Sequence, residues 1–154
     1  MIAVLQRVNS ATVYAEEILS GTIGFGLYIL LGVEKNDTEQ DADLLCEKIS
    51  KLRIFSDSND KMNLSIADVD GEALVVSNFT LNANYAHGNR PEYFSGADPV
   101  TAQRLYSYFL EGMSKKVRKV ASGQFGASMR TELSTCGPVT IVMNSSVLKK
   151  DKRS

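Results

Sequence analysis

Histidine is nearly absent from this 154-residue chain, in which His87 is the sole example. A Ser-His-Asp triad therefore has one candidate base, and a His-Glu-x-x-His zinc site, which needs two histidines, is excluded. Two cysteines, Cys46 and Cys136, are too few for a disulfide framework or a four-ligand zinc site. They read as free thiols of a reducing compartment. Long apolar runs are missing as well. Leu27 to Leu31, extended by Gly32 and Val33, falls far short of the ~20 residues that span a bilayer, and Met1 to Arg7 lacks the basic-then-apolar order of a secretion signal. The expectation is a cytoplasmic domain with no membrane partner.

What is present suits one globular unit. The chain is 44% hydrophobic and 23% charged, and a domain near this length buries roughly 70% of its unfolded surface without metal or disulfide staples. Residues 1–148 are expected to form a single domain, and Lys149-Lys150-Asp151-Lys152-Arg153-Ser154 a basic, solvated tail. The net charge of −1 hides an asymmetry. Residues 1–100 hold 7 Lys+Arg and 15 Asp+Glu, whereas residues 101–154 hold 10 and 3. Lys115, Lys116, Arg118 and Lys119 are open to two readings, a solvated helix C-terminus or a polyanion footprint.

Short β-type runs at Ile2–Val8, Ala11–Ala15 and Ile18–Ile23, punctuated by Asn9-Ser10, Glu16-Glu17 and Gly24-Phe25-Gly26, predict a strand meander. Leu27–Val33 predicts a central strand covered on both faces. From Asp37-Thr38, with Gln40 or Asp41 at the capping-box position, Ala42, Leu45, Ile49 and Leu52 predict an amphipathic helix ending near Phe55. Ala73–Leu81 predicts a second buried strand with a polar end. A loop over 82–96 precedes a helix opened by Asp98-Pro99 and running to about Arg118. Ala127–Ser134 and Val139–Met143 predict strands joined by Thr135-Cys136-Gly137-Pro138. Two helices against six or more strands favour an α/β domain of α+β type, a mostly antiparallel, barrel-like sheet with two main helices packed on it.

Few segments offer chemistry. Gly21 to Gly26 has glycine spacing reversed relative to a phosphate-binding loop and precedes a strand, so it reads as a hairpin turn. His87 reads as a surface loop residue and Cys46 as core. Cys136, beside a Gly-Pro turn, is a candidate nucleophile with no histidine near in sequence. Ser77-Asn78-Phe79-Thr80 sets two hydroxyls and an amide at the end of a buried strand, either a plain strand-end turn or donors facing a pocket. Gly137-Pro138 pairs the residue that accepts any φ with the one that admits a cis bond, so either an ordinary trans turn or a sharp loop with outward carbonyls can form.

Met1 to Val8, Leu30-Leu31-Gly32-Val33, Arg53-Ile54-Phe55-Ser56-Asp57 with Lys61-Met62-Asn63, Ser77 to Leu81, Gly88-Asn89-Arg90-Pro91 and Gly137-Pro138-Val139-Thr140 stand in an order that resembles the D-aminoacyl-tRNA deacylases from the first residue to about Met143. That resemblance implies a homodimer, without metal or cofactor, acting on tRNA rather than DNA. It implies hydrolysis of the ester between a D-amino acid and the tRNA 3′-terminal adenosine, and removal of glycine from mischarged tRNA. It assigns Ser77, Asn78, Phe79 and Thr80 to the pocket for the adenosine and its ester. It makes a cis Gly137-Pro138 the chiral filter that enters the partner subunit's site, with Arg7 helping to hold that loop. Thr80 as a nucleophile and the substrate's 2′-hydroxyl as helper are its two catalytic readings.

Two positions depart from the family's common pattern. Asn78 stands where Gln is usual and Thr135 where Asn is usual, which bears on one substrate contact and on support of the loop. Two rivals follow from the residues alone. One is a non-catalytic RNA-binding module using the basic third, and the other is a hydrolase dependent on Cys136.

Overall fold

One strand organises the sheet. In the computed structural model, which describes residues 1–150 and the side chains of residues 1–149, β1 (Ile2–Ala15) is continuous through Asn9-Ser10, where the sequence suggested a break. Both polar residues are exposed, and they mark the point at which β1 changes neighbour. Residues 2–8 pair antiparallel with β3 (Gly26–Gly32), Ile2 opposite Gly32. Residues 11–15 pair with β2 (Ile18–Ile23), Ala11 opposite Ile23.

After β3 the chain forms α1 (Glu39–Lys51), a small hairpin of β4 (Phe55–Ser56) and β5 (Met62–Leu64), β6 (Glu72–Ser77), a 3₁₀ turn (Phe79–Asn82), α2 (Pro99–Ser114), β7 (Val120–Ser122), β8 (Met129–Asn144) and α3 (Ser145–Lys150). Strand β8 runs antiparallel along the other edge of β1. Gln6 faces Thr140 but Val8 faces Thr135, so the residues between them bulge out of the ladder. On the far side β3, β6 and β7 lie parallel, which their helical crossovers require. The sheet curls until β7 meets β2: Ser20 Oγ donates to Ser122 O at 2.9 Å and Lys119 Nζ to Thr22 O at 2.8 Å. The result is a nearly closed, barrel-like sheet. Its parallel stretch starts at a tight contact, where a Cβ on Gly26 would lie 1.8 Å from Glu72 O.

Both helices cover one face of this sheet. Asp41 closes the α1 capping box, its carboxylate accepting the Thr38 N–H at 2.8 Å. The helix stops at Lys51 rather than near Phe55 because Leu52 is extended and Phe55, fully buried, enters the hairpin. Asp98 caps α2 through Thr101 N at 3.0 Å, and the helix ends at Ser114, earlier than its periodicity suggested. Leu45, Ile49, Leu105 and Phe109 are fully buried, and burial of each such side chain is worth about 1.5–3 kcal/mol. No described helix is long and apolar enough to cross a membrane.

Lys149 and Lys150, expected to begin the tail, belong to α3; residues 151–154 lie outside the described part. Lys149 Nζ stands 2.9 Å from Asp41 Oδ1, and Ser145 Oγ donates to the same oxygen at 2.7 Å. Burial pushes the Asp41 carboxyl up, but the bonds from Ser145, Lys149 and Thr38 outweigh it and hold the pKa at about 2, below the usual 3.8. A depressed carboxylate stabilises above its unfolded value and stops doing so as pH falls through the folded one. Asp41→Asn is therefore expected to cost about 2 kcal/mol, or about 5 °C in Tm, at pH 7. In thermal unfolding scans the gap from wild type should shrink as pH falls from 4 to 2.

Among the described residues the charge asymmetry along the chain is reduced in space. Arg104 meets Glu39 at 3.3 Å, Lys116 meets Glu47 at 2.7 Å, Arg118 meets Glu72 at 3.0 Å, and Arg130 meets Glu17 at 3.3 Å. Basic residues of the last third pair with acids of the first two. Within the 115–119 cluster Lys116 and Arg118 are thus tied to acids of earlier elements and Lys119 to the Thr22 carbonyl, and each exposed pair adds only about 0–1 kcal/mol.

Candidate active site

Strand β6 ends where its sequence turns polar. Ser77 is still in register with Leu31, and Asn78 N donates to Leu31 O at 2.8 Å, but there the chain breaks from the sheet. The break comes from Asn78, whose Oδ1 accepts the Thr80 N–H at 3.2 Å and the Thr80 hydroxyl, caps the 3₁₀ turn, and ends the predicted strand. Thr80 is exposed, and the only partner of its hydroxyl among the described residues is this amide oxygen. No base lies on it. The Phe79 N–H opens the turn and has no acceptor among the described residues.

The turn borders a cleft of about 620 Å³ at the carboxyl end of parallel strands, beside the start of α2. Ser77, Asn78 and Phe79 line it, and Phe79 packs edge-on against Tyr93 with ring centroids 5.1 Å apart. Leu30, Val76, Phe125 and Met129 supply apolar wall. Among the described residues its only ionisable side chains are Tyr28, Tyr93 and Tyr106. Burial pushes the Tyr28 hydroxyl up, with a bond to Thr131 opposing it. Burial also drives Tyr106 to about 12 against a bond with Ser122. Both are neutral donors at physiological pH, and Tyr106 spends its proton on Val75 O at 2.9 Å. Asn82, buried in the same wall, donates to Val33 O at 3.0 Å, while its Oδ1 has no partner among the described residues.

Arg7, Gly137 and Pro138 form a second group away from this wall. The half of β1 that carries Arg7 lies against the β8 bulge, so the buried guanidinium donates to Cys136 O at 3.3 Å and to Ile54 O at 2.9 Å. The Gly137-Pro138 peptide is cis, both residues are exposed, and neither lines the cleft. Thr135 is held by ladder pairing to Val8. The Cys136 thiol has no side-chain partner among the described residues, and His87 sits exposed in the 82–96 loop. No group of three or more described His, Cys, Asp or Glu is placed to hold a metal ion.

The aromatic wall escaped the sequence reading. Tyr28 sits in an aliphatic strand and Tyr106 on the buried face of α2, so both look like core; the hydroxyl of Tyr28 in an otherwise apolar run was the available signal. A larger groove of about 750 Å³ between α1 and α2 is occupied by paired groups, Lys116 with Glu47 and Tyr108 with Asp43. Its one thiol, Cys46, is pushed up to about 12 by burial and is inert.

Residues 4–144 match the family described as D-Tyr-tRNA(Tyr) deacylase. A D-aminoacyl-tRNA deacylase of Caldicellulosiruptor saccharolyticus is 50% identical over 145 residues, spanning 94% of this chain and 97% of the relative. A solved structure described as c-Myc DNA unwinding element binding protein superposes with a TM-score of 0.88 at 35% identity, covering 94% of this chain and 98% of its own. One described as a probable eukaryotic D-amino acid tRNA deacylase shares the fold, with a TM-score of 0.78 at 14% identity and coverage of 93% and 98%. The chain belongs to the D-Tyr-tRNA(Tyr) deacylase family and is a hydrolase that cleaves the ester bond of D-aminoacyl-tRNA.

Proposed function

We propose that the cleft receives the 3′-terminal adenosine with its esterified amino acid, and that catalysis relies on main-chain and substrate groups rather than on a side-chain base. The observation that carries this reading is the absence of any acid, histidine, lysine or cysteine from the residues lining the cleft. An ester is already activated, so positioning and one well-aimed donor supply much of the rate. The free Phe79 N–H is the donor for the developing oxyanion. The Thr80 N–H, engaged by Asn78, is not. Water adds to the carbonyl carbon, the bond to the ribose 3′-oxygen breaks, and the neighbouring 2′-hydroxyl relays the proton to that leaving oxygen. Thr80→Val is then expected to slow deacylation by no more than about tenfold, the worth of one hydrogen bond, whereas removal of a nucleophile costs several orders of magnitude. Single-turnover kinetics separate the two.

In this reading the chain works as a homodimer in which Gly137-Pro138 of one protomer enters the cleft of the other. Main-chain groups there hold the substrate's amino group in one orientation, an L side chain collides, and a D-aminoacyl or glycyl group passes. Support comes from the position of the loop, exposed and outside its own cleft. Co-expression of two inactive variants tests it. Ala102→Phe fills the cleft and Gly137→Val spoils the loop, so mixed dimers regain one intact site each, about a quarter of the wild-type rate in an equal mixture. No recovery would assign each loop to its own protomer.

A further inference from the structure

The loop between the 3₁₀ turn and α2 carries two of the most exposed large side chains of the chain, Tyr85 at 80% and Phe94 at 76%. It is built rather than slack. Asn84 and Glu92 exchange both backbone bonds at 2.8 and 3.0 Å, and Asn84 Oδ1 accepts Ala86 N at 3.1 Å. Glu92 Oε2 accepts Phe94 N at 2.8 Å, and Ser95 O accepts Lys35 N at 2.8 Å. Its base is continuous with the site, since Tyr93 lines the cleft against Phe79. Its charge is of one sign where it is free: Arg90 and Lys35 make no ion pair among the described residues, while the Glu92 carboxylate is turned onto the loop's own backbone. Elsewhere seven of the twelve described Lys and Arg side chains make ion pairs. Exposed aromatic faces beside unpaired cations are the chemistry of single-stranded nucleic-acid recognition, in which bases stack and phosphates meet Arg or Lys.

We propose that Tyr85 and Phe94, with Arg90 and Lys35, form a platform for the unpaired nucleotides that precede the terminal adenosine of the tRNA. This rests on the reading of the cleft as the adenosine site. The loop adds affinity outside the reacting group, so it acts on how tightly the 3′ end is held and leaves the short substrate untouched.

Two non-cleavable probes test this: a D-tyrosyl amide of 3′-amino-adenosine, and the same group extended by the two cytidines that precede it in tRNA. Wild type is expected to bind the extended probe about tenfold more tightly, the worth of one stacked base, and Tyr85→Ala with Phe94→Ala to remove most of that gain without changing affinity for the short probe. Equal affinity of wild type for both probes, retention of the gain in the double variant, or equal weakening of both probes would overturn the platform. So would a change of oligomeric state in the double variant, since the aromatics would then serve a second copy of the chain. Failure of wild type to bind the short probe would instead overturn the reading of the cleft.

Discussion

Gly137→Ala is expected to lower kcat/KM for D-aminoacyl-tRNA about a hundredfold while Tm falls by only a few degrees. Gly137 has φ of +129°, a backbone region closed to residues with a Cβ. A Cβ there would lie 2.8 Å from Val139 N and 3.2 Å from Arg7 Nη2, so backbone or a buried guanidinium must give way. The loop is exposed, so its displacement opens no cavity, and the strain of about 1–2 kcal/mol corresponds to roughly 3–6 °C. Catalysis is less forgiving, because a misplacement near 1 Å at a positioning element costs on the order of 100-fold. Steady-state kinetics beside a melting curve separate the two effects. Equal losses of activity and folded fraction would reduce Gly137 to a structural turn.

Arg7→Met is expected to have the second largest effect, about 3 kcal/mol of stability, or roughly 10 °C, together with loss of deacylation. Arg7 is 9% exposed, and its guanidinium ties the start of the hairpin, through Ile54 O, to the β8 bulge, through Cys136 O. Hydrogen bonds from a charged donor contribute about 1.5–3 kcal/mol each, and both carbonyls lose that donor in the variant. Arg7→Lys should rescue little, because a single ammonium does not reproduce a planar fork serving two acceptors. Thermal unfolding and D-aminoacyl-tRNA turnover of the pair check this, and full rescue by lysine would contradict it.

The helices were legible because Leu45, Ile49, Leu105 and Phe109 recur at helical spacing behind Asp and Thr caps. Their ends were not, since Phe55 and Val117 continue the apolar pattern after the backbone has left the helix. Asn9-Ser10 reads locally as a turn, yet only the partners of β1 show that a strand can pass through such a pair while exchanging β3 for β2. The parallel pairing of β3, β6 and β7 and the three-residue strand β7 depend on crossovers that leave no local signature. At the site, the polar end of β6 leaves a strand-end turn and a pocket both open, and the resemblance is what singles out Ser77, Asn78 and Phe79. The aromatic wall was hidden because a pocket tyrosine and a core tyrosine have the same neighbours in sequence. Arg7 became interpretable through the resemblance alone, since its acceptors are backbone carbonyls of Ile54 and Cys136, distant in the chain. The charge asymmetry was visible in sequence, but its meaning was intramolecular pairing.

The proposed function turns on a cleft that hydrolyses the D-aminoacyl ester without a side-chain base and refuses the L-enantiomer. Its most direct test is the release of amino acid from matched D- and L-tyrosyl-tRNA by the wild-type protein. The expected result is turnover of the D-ester with the L-ester decaying at the rate of a buffer control. Equal hydrolysis of both enantiomers, or of neither, would contradict it.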